Sequence, residues 1–203
     1  MLTALSLSTV AGCDNGRGEA LGRTRYDNCA PCHAADGSGN QSVGAPAIAG
    51  LPVWYVDAQR KKFREGGSGL HPDDIEGLKM RPMARTLLRD EEVQAVAAHV
   101  AKLPPLRPKT TLTGGDATRG KALYATCAAC HGERASGAQD KGAPDLHRTG
   151  DWYLLAQLKK FKSGARGAAP GDATGAQMRP MAMTLANEQA MKDVIAYIKT
   201  LEP

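Results

Sequence analysis

The chain is poor in aromatic residues: two Trp, five Tyr and two Phe among 203 residues. Two domains of under 100 residues each, built from side chains alone, would have thin cores, because small domains bury a smaller share of their surface. No stretch approaches the 18 consecutive apolar residues of a membrane-crossing helix. No basic run is interleaved with aromatics, so the net charge of +5 does not mark a nucleic-acid-binding protein. Cysteine is also sparse, with five residues. What is abundant is turn chemistry: 23 Gly and 12 Pro, the composition of a chain with much loop.

Four of the five cysteines fall in two short motifs, Cys29-Ala30-Pro31-Cys32-His33 and Cys127-Ala128-Ala129-Cys130-His131. Cys-x-x-Cys-His is the attachment pattern of c-type haem. Two thiols three apart on a helix lie on one face, where they add to the two vinyl groups of one porphyrin. The His that follows reaches the iron as an axial ligand. A zinc site would need both Cys pairs to feed one tetrahedral centre, whereas here each pair carries its own His. Two covalently attached haem c groups are therefore expected, and two buried porphyrins supply the apolar bulk that the composition lacks. Four propionates would also offset much of the positive charge.

The surroundings of the motifs repeat as well. At an offset of 98 residues Gly22 falls on Gly120, Tyr26 on Tyr124, Pro46 on Pro144, Trp54-Tyr55 on Trp152-Tyr153 and Gln59 on Gln157. Lys61-Lys62-Phe63 falls on Lys159-Lys160-Phe161, and Met80-Arg81-Pro82-Met83-Ala84 on Met178-Arg179-Pro180-Met181-Ala182. The chain is a tandem duplication without net insertion. Three prolines in Pro104–Pro108 stiffen the linker, which divides the chain into residues 1–16, 17–107 and 108–203. Each copy reads as three helices: about Arg17–Cys32, Val53–Arg64 and Asp90–Lys102, then Thr118–Cys130, Trp152–Lys162 and Glu188–Thr200. Asp90 and Asn187 are the expected N-caps of the last helix in each copy. Split at Arg107/Pro108, the first part carries 13 basic and 12 acidic residues and the second 13 and 9, giving +1 and +4.

Each iron needs a second axial ligand or stays open to substrate. Met80 or Met83, and Met178 or Met181, stand at matched positions in segments that Pro82 and Pro180 mark as loops; Met183 is an extra candidate. Met80 and Met178 both lie 47 residues after their His. A His/Met pair raises the reduction potential and suits electron transfer.

These motifs resemble those of tandem class I cytochromes c, and the chain is similar to the di-haem cytochrome c4 family over about residues 17–203. The resemblance implies an all-α fold, with two class I cytochrome c domains in tandem, each a few helices wrapped around one covalently bound haem. In that family the ligating Met stands seven residues before a Leu, which selects Met80 (before Leu87) and Met178 (before Leu185). A Pro after the haem motif accepts a hydrogen bond from the axial His through its carbonyl, a place matched by Pro46 and Pro144, each 13 residues after its His. The resemblance further implies that Gly22 and Gly120 allow a close crossing of first and last helices, with Tyr197 in the pattern and His99 departing from it.

The remaining residues have plainer readings. His99 packs, and His71 and His147 are solvated loop residues. Trp54 and Trp152 pack on haem. The runs Arg60–Lys62 with Arg64, and Lys159-Lys160-Lys162, are solvated helix faces. Val10-Ala11-Gly12-Cys13 resembles a bacterial lipobox, in which Cys13 would be the lipidated first residue of the mature protein.

The function expected from this set is electron transfer in a bacterial respiratory chain, on the periplasmic side of the membrane and tethered there through Cys13. The protein would act as a shuttle or as the conduit subunit of a membrane complex. Redox partners would be a quinol-oxidising complex, a dehydrogenase or a terminal oxidase. The competing expectation is a di-haem redox enzyme of peroxidase or thiosulfate-oxidising type, which needs one open iron.

Overall fold

The computed structural model describes residues 13–202, and side chains from residue 16. Residues 1–12 and the Cys13 side chain, and with them the lipobox-like reading, lie outside the described residues. Nine α-helices occur among the described residues, and no strands. Four follow the repeat in each copy, with one helix of the first copy split in two. In the first copy α1 is Cys13–Tyr26, α2 Ala30–His33, α3 Val53–Glu65, α4 Ile75–Ala84 and α5 Asp90–Lys102. In the second, α6 is Ala117–His131, α7 Asp151–Ser163, α8 Ala173–Met183 and α9 Glu188–Thr200. None is long and apolar enough to cross a membrane.

Two features correct the sequence-based expectation. The first haem-motif helix is not continuous to Cys32: the chain turns at residues 27–29 and restarts as α2. Pro31 explains the break. It has no N–H to donate, and its ring clashes with the carbonyl four residues back, at Asp27. The second copy has Ala129 at that place and α6 runs unbroken to His131. The Met-bearing segments are also helices rather than loops. Asp74 and Asp172 are buried N-caps whose carboxylates accept from Gly77 N (3.2 Å) and Gly175 N (3.0 Å). These caps start α4 and α8 upstream, and Pro82 and Pro180 near their ends remove only one helical bond each.

The first and last helices of each copy cross closely, α1 on α5 and α6 on α9. A Cβ on Gly22 would lie 2.3 Å from the Ala95 carbonyl oxygen, and one on Gly120 only 2.0 Å from that of Asp193. At the crossing His99 stacks on Tyr26 (centroids 5.0 Å) where Tyr197 meets Tyr124 (5.5 Å). The last helices match their expected spans. Asn187 caps α9, accepting from Ala190 N at 3.0 Å. Asp90 is instead the first residue of α5, and Arg89 occupies the cap; Glu92 accepts the Arg89 backbone N–H at 3.1 Å.

At the crossing in the second copy Asp193 stands where the first has Ala95. Asp193 accepts from Arg119 Nε (2.8 Å) and from Asp116 N (2.8 Å), joining the start of α6 to α9. The Arg119 guanidinium holds the Asp193 carboxyl well below the usual carboxylate range. A carboxyl with a depressed pKa contributes stability above its unfolded-state pKa, and that contribution is lost as pH falls.

Gly120→Ala is expected to destabilise the protein by about 2 kcal/mol through backbone overpacking, read as a lowered denaturation midpoint; an unchanged midpoint would contradict the close crossing. Acid titration of Asp193→Asn is expected to show a shallower loss of stability below the ordinary carboxylate range than wild type, with little difference in slope at neutral pH.

Candidate haem sites

The repeated motif shapes both sites in the same way. His33 and His131 are buried, exposing 7% and 6% of their surface. Nδ1 of His33 donates to the Pro46 carbonyl at 2.9 Å, and Nδ1 of His131 to that of Pro144 at 3.0 Å. A carbonyl can only accept, so the proton is on Nδ1 and Nε2 is left with its lone pair free for a metal. Burial pushes both imidazoles below their ordinary pKa, and the Pro hydrogen bond opposes it in part. The chain after each His is pinned by a tyrosine hydroxyl: Tyr26 to the Ala34 carbonyl at 2.8 Å, and Tyr124 to the Gly132 carbonyl at 2.7 Å.

In the second copy a cleft brings the separate sequence elements together. Cys127, Cys130 and His131 line one wall, Pro144 and Tyr153 continue it, and Met178 and Met181 enter from α8. Leu154, Leu158, Leu185 and Ile195 make the lining strongly apolar. The thiols are free, and burial raises that of Cys127 above its ordinary pKa and pushes the Cys29 thiol up to about 11. No cluster of His, Cys, Asp and Glu able to hold a metal occurs among the described residues.

Residues from the first copy complete the cleft. Tyr55, Gln59 and Lys62 line it together with Arg166. Arg166 Nη2 donates to Gln59 at 2.6 Å, its Nη1 donates to Gln157, and its guanidinium carbon stands 4.8 Å from the centre of the Phe161 ring. Its Nε is buried without a partner. A buried cation with a free donor beside an apolar cleft fits a planar apolar ligand bearing acid groups, as a porphyrin does. Gln59 and Gln157 are equivalent in the repeat, so Arg166 sits between two symmetry-related partners. Its own counterpart is Ser68.

The lysine runs are not simply solvated faces. Lys62 pairs with Asp172 at 2.6 Å and bonds Thr174; at the equivalent place Lys160 pairs with Asp74 at 2.6 Å and also with Glu76. Asp172 and Asp74 are nearly inaccessible. These reciprocal pairs join the copies about a pseudo-twofold axis. Arg60 is buried as well, whereas Lys61 and Lys159 are half exposed, as expected of a solvated face.

Three other expectations turn out differently or need limits. His147 is buried rather than solvated, because Asp145 accepts from its Nδ1 at 3.0 Å and also holds Arg148, which reaches the Gly50 carbonyl of the other copy at 2.8 Å. His71 is exposed. The residue at the cleft wall is Tyr153 rather than its neighbour Trp152, which packs edge-on against it at 5.6 Å. Met80 is half-buried and Met83 is 37% exposed in the first copy.

Duplicated helical units, each with a Cys pair, a His whose Nδ1 is fixed by a proline carbonyl and a Met on a later helix, describe a protein that attaches haem covalently, twice. The chain belongs to the cytochrome c family: the family model described as cytochrome c matches residues 19–104 and again 117–202. It is a di-haem class I cytochrome of the c4-like kind, carrying two covalently bound haem c groups. It is 32% identical over 153 residues to the thiosulfate dehydrogenase electron acceptor of Thiomonas intermedia, covering 70% of this chain and 66% of that protein. Azotobacter vinelandii cytochrome c4 is 25% identical over 99% of this chain and 98% of its own length. Among solved structures, the thiosulfate dehydrogenase TsdBA of Marichromatium purpuratum superposes with a TM-score of 0.70 at 30% identity, over 90% of this chain and 40% of that one. The chain spans just under two thirds of the Thiomonas relative and well under half of TsdBA.

Lys62→Ala is expected to cost about 3 kcal/mol by leaving the Asp172 carboxylate buried and unpaired, and Lys160→Ala a similar amount through Asp74. Calorimetry on the holoprotein checks this; losses below about 0.5 kcal/mol for both would contradict the reciprocal pairing.

Proposed function

We propose that the chain is an electron carrier rather than an enzyme, with both irons closed by His and Met. The observation that carries the reading is the shared cleft in which His131, its Nδ1 fixed by Pro144, and Met178 stand with the Cys pair, in an arrangement that the first copy repeats in sequence. Each haem, when bound, supplies an iron that gains and loses one electron. Every other contribution comes from the chain. Cys29 and Cys32, and Cys127 and Cys130, anchor the two groups. His33 and His131 offer Nε2. Met80 and Met178 offer a thioether seven residues ahead of the buried Leu87 and Leu185. Apolar side chains exclude water, which favours the less charged reduced state and raises the potential. A thioether at both sites leaves no vacant position for peroxide or thiosulfate, and this favours transfer over catalysis.

The partners follow from the relatives. One relative is named as the electron acceptor of thiosulfate dehydrogenase, so a periplasmic dehydrogenase of that kind is the favoured donor. A terminal oxidase or another membrane complex is the favoured acceptor. The place of work is the periplasmic side of a bacterial membrane, since haem attachment to thiols is completed outside the cytoplasm. Lipid attachment at Cys13 would keep the protein there.

Spectroelectrochemistry of the holoprotein is expected to count two haems with high potentials, each carrying the far-red methionine–iron band. Met80→Ala and Met178→Ala should each remove half of that band, lower one potential only, and open one haem to carbon monoxide. Carbon monoxide binding to the reduced wild type at neutral pH would contradict the closed sites and favour the di-haem enzyme.

A further inference from the structure

The two copies act as controls for each other. At the positions of Ala168, Ala173 and Ala176 in the second copy, the first has Leu70, Ile75 and Leu78. These three are 56%, 52% and 40% exposed. Ile75 and Leu78 share a face of α4. The turn leading to Leu70 lies against the same helix: a Cβ on Gly69 would stand 2.3 Å from the Gly77 carbonyl oxygen and 3.0 Å from Arg81 Cγ. Their counterparts stand outside the cleft of the second copy. In the second copy the cleft is lined from α8 by Thr174, Gly175, Gln177, Met178 and Met181, and not by Ala168, Ala173 or Ala176. The loop after the haem motif approaches the same helix: a Cβ on Gly44 would stand 2.5 Å from Glu76 Cγ, beside Ile75. Val43, 39% exposed, is the counterpart of the cleft-lining Lys141.

The edge of this face carries three cations, with the exposed carboxylates of Glu65 and Asp73 close by in the chain. Arg64, Lys79 and Arg85 are exposed and form no ion pair among the described residues. Arg85 Nη2 reaches the Arg64 carbonyl at 3.3 Å, which links the two sides of the edge. The second copy has neither feature. Gln177 and Met183 replace Lys79 and Arg85, and Lys162, the counterpart of Arg64, is turned onto the carbonyls of Leu185 and Ala186. The second half holds the larger net charge, yet the cations around an apolar centre belong to the first.

We propose that this face of the N-terminal domain is the docking surface for a redox protein whose own contact face is apolar and edged with carboxylates. The proposal rests on the electron-carrier reading. Apolar area at the centre and matched charge at the rim are the anatomy of a transient interface, and the rim charges accelerate encounter. The approach of the Val43–Gly44 loop to α4 makes the N-terminal site the one through which electrons pass to the partner.

Leu70→Ala, Ile75→Ala and Leu78→Ala combined reproduce the residues of the second copy, so the fold is retained. The test is stopped-flow oxidation of the reduced holoprotein by an acidic blue-copper protein, with ferricyanide as the small oxidant. The triple variant is expected to slow the reaction with the copper protein about tenfold and leave that with ferricyanide unchanged. Lys79→Glu with Arg85→Glu should slow it at low salt and flatten its salt dependence. Rates within twofold of wild type for the triple variant would overturn the proposal, as would a wild type that reacts with ferricyanide but not with the copper protein. Self-association, or binding to phosphatidylglycerol vesicles, that the triple variant abolishes would overturn it in favour of a second copy or a membrane as occupant. A wild type that reacts with neither oxidant would sink the electron-carrier reading itself.

Discussion

The hydrogen bond from a buried histidine to a proline carbonyl organises each half of this protein. His33 and Pro46, and His131 and Pro144, are separated by a glycine-rich loop whose path is fixed by that contact. The bond sets the tautomer, turns Nε2 towards the site, and ties the end of the haem-motif helix to the loop that closes over it. Tyr26 and Tyr124 secure the same chain segment from the other side. Because the carbonyl belongs to proline, the residue holding it has a fixed φ and no competing N–H.

Duplication then creates something neither half has alone. Lys62 with Asp172 and Lys160 with Asp74 repeat one contact twice about a pseudo-twofold axis. Near that axis a symmetric pair of glutamines meets a single arginine, Arg166. The pairing brings a wall of the first copy to the cleft of the second. The halves diverge elsewhere: in the Pro31 break, in Asp193 at the place of Ala95 and in the apolar face around Leu70, Ile75 and Leu78. Divergence between joined copies is how one duplicated electron-transfer protein can face two different partners.

The Cys-x-x-Cys-His motifs were legible in the sequence because haem attachment demands a fixed spacing. Cys29, Cys32, His33 and their counterparts are set by the dimensions of a porphyrin, and Pro46 and Pro144 by the reach of an imidazole. The last helices were legible because their apolar period is strong and Asn187 caps one of them. Other features depend on placement in space. Pro82 and Pro180 read as loop signals, but buried caps at Asp74 and Asp172 start helices ahead of them. His147 lies in a loop, where solvation is the default, and is buried because Asp145 satisfies one ring nitrogen. Lys62 and Lys160 look like any lysines on a helix until the other copy is docked against them. The repeat itself held the one available signal, since Gln59 and Gln157 and both lysine runs recur at the same offset.

The central claim is that this chain closes both irons with protein ligands and so carries electrons without binding substrate. Low-temperature electron paramagnetic resonance of the fully oxidised holoprotein at neutral pH tests it most directly. The account predicts two low-spin ferric signals of equal weight and no high-spin component. A high-spin signal amounting to one haem per chain would contradict it.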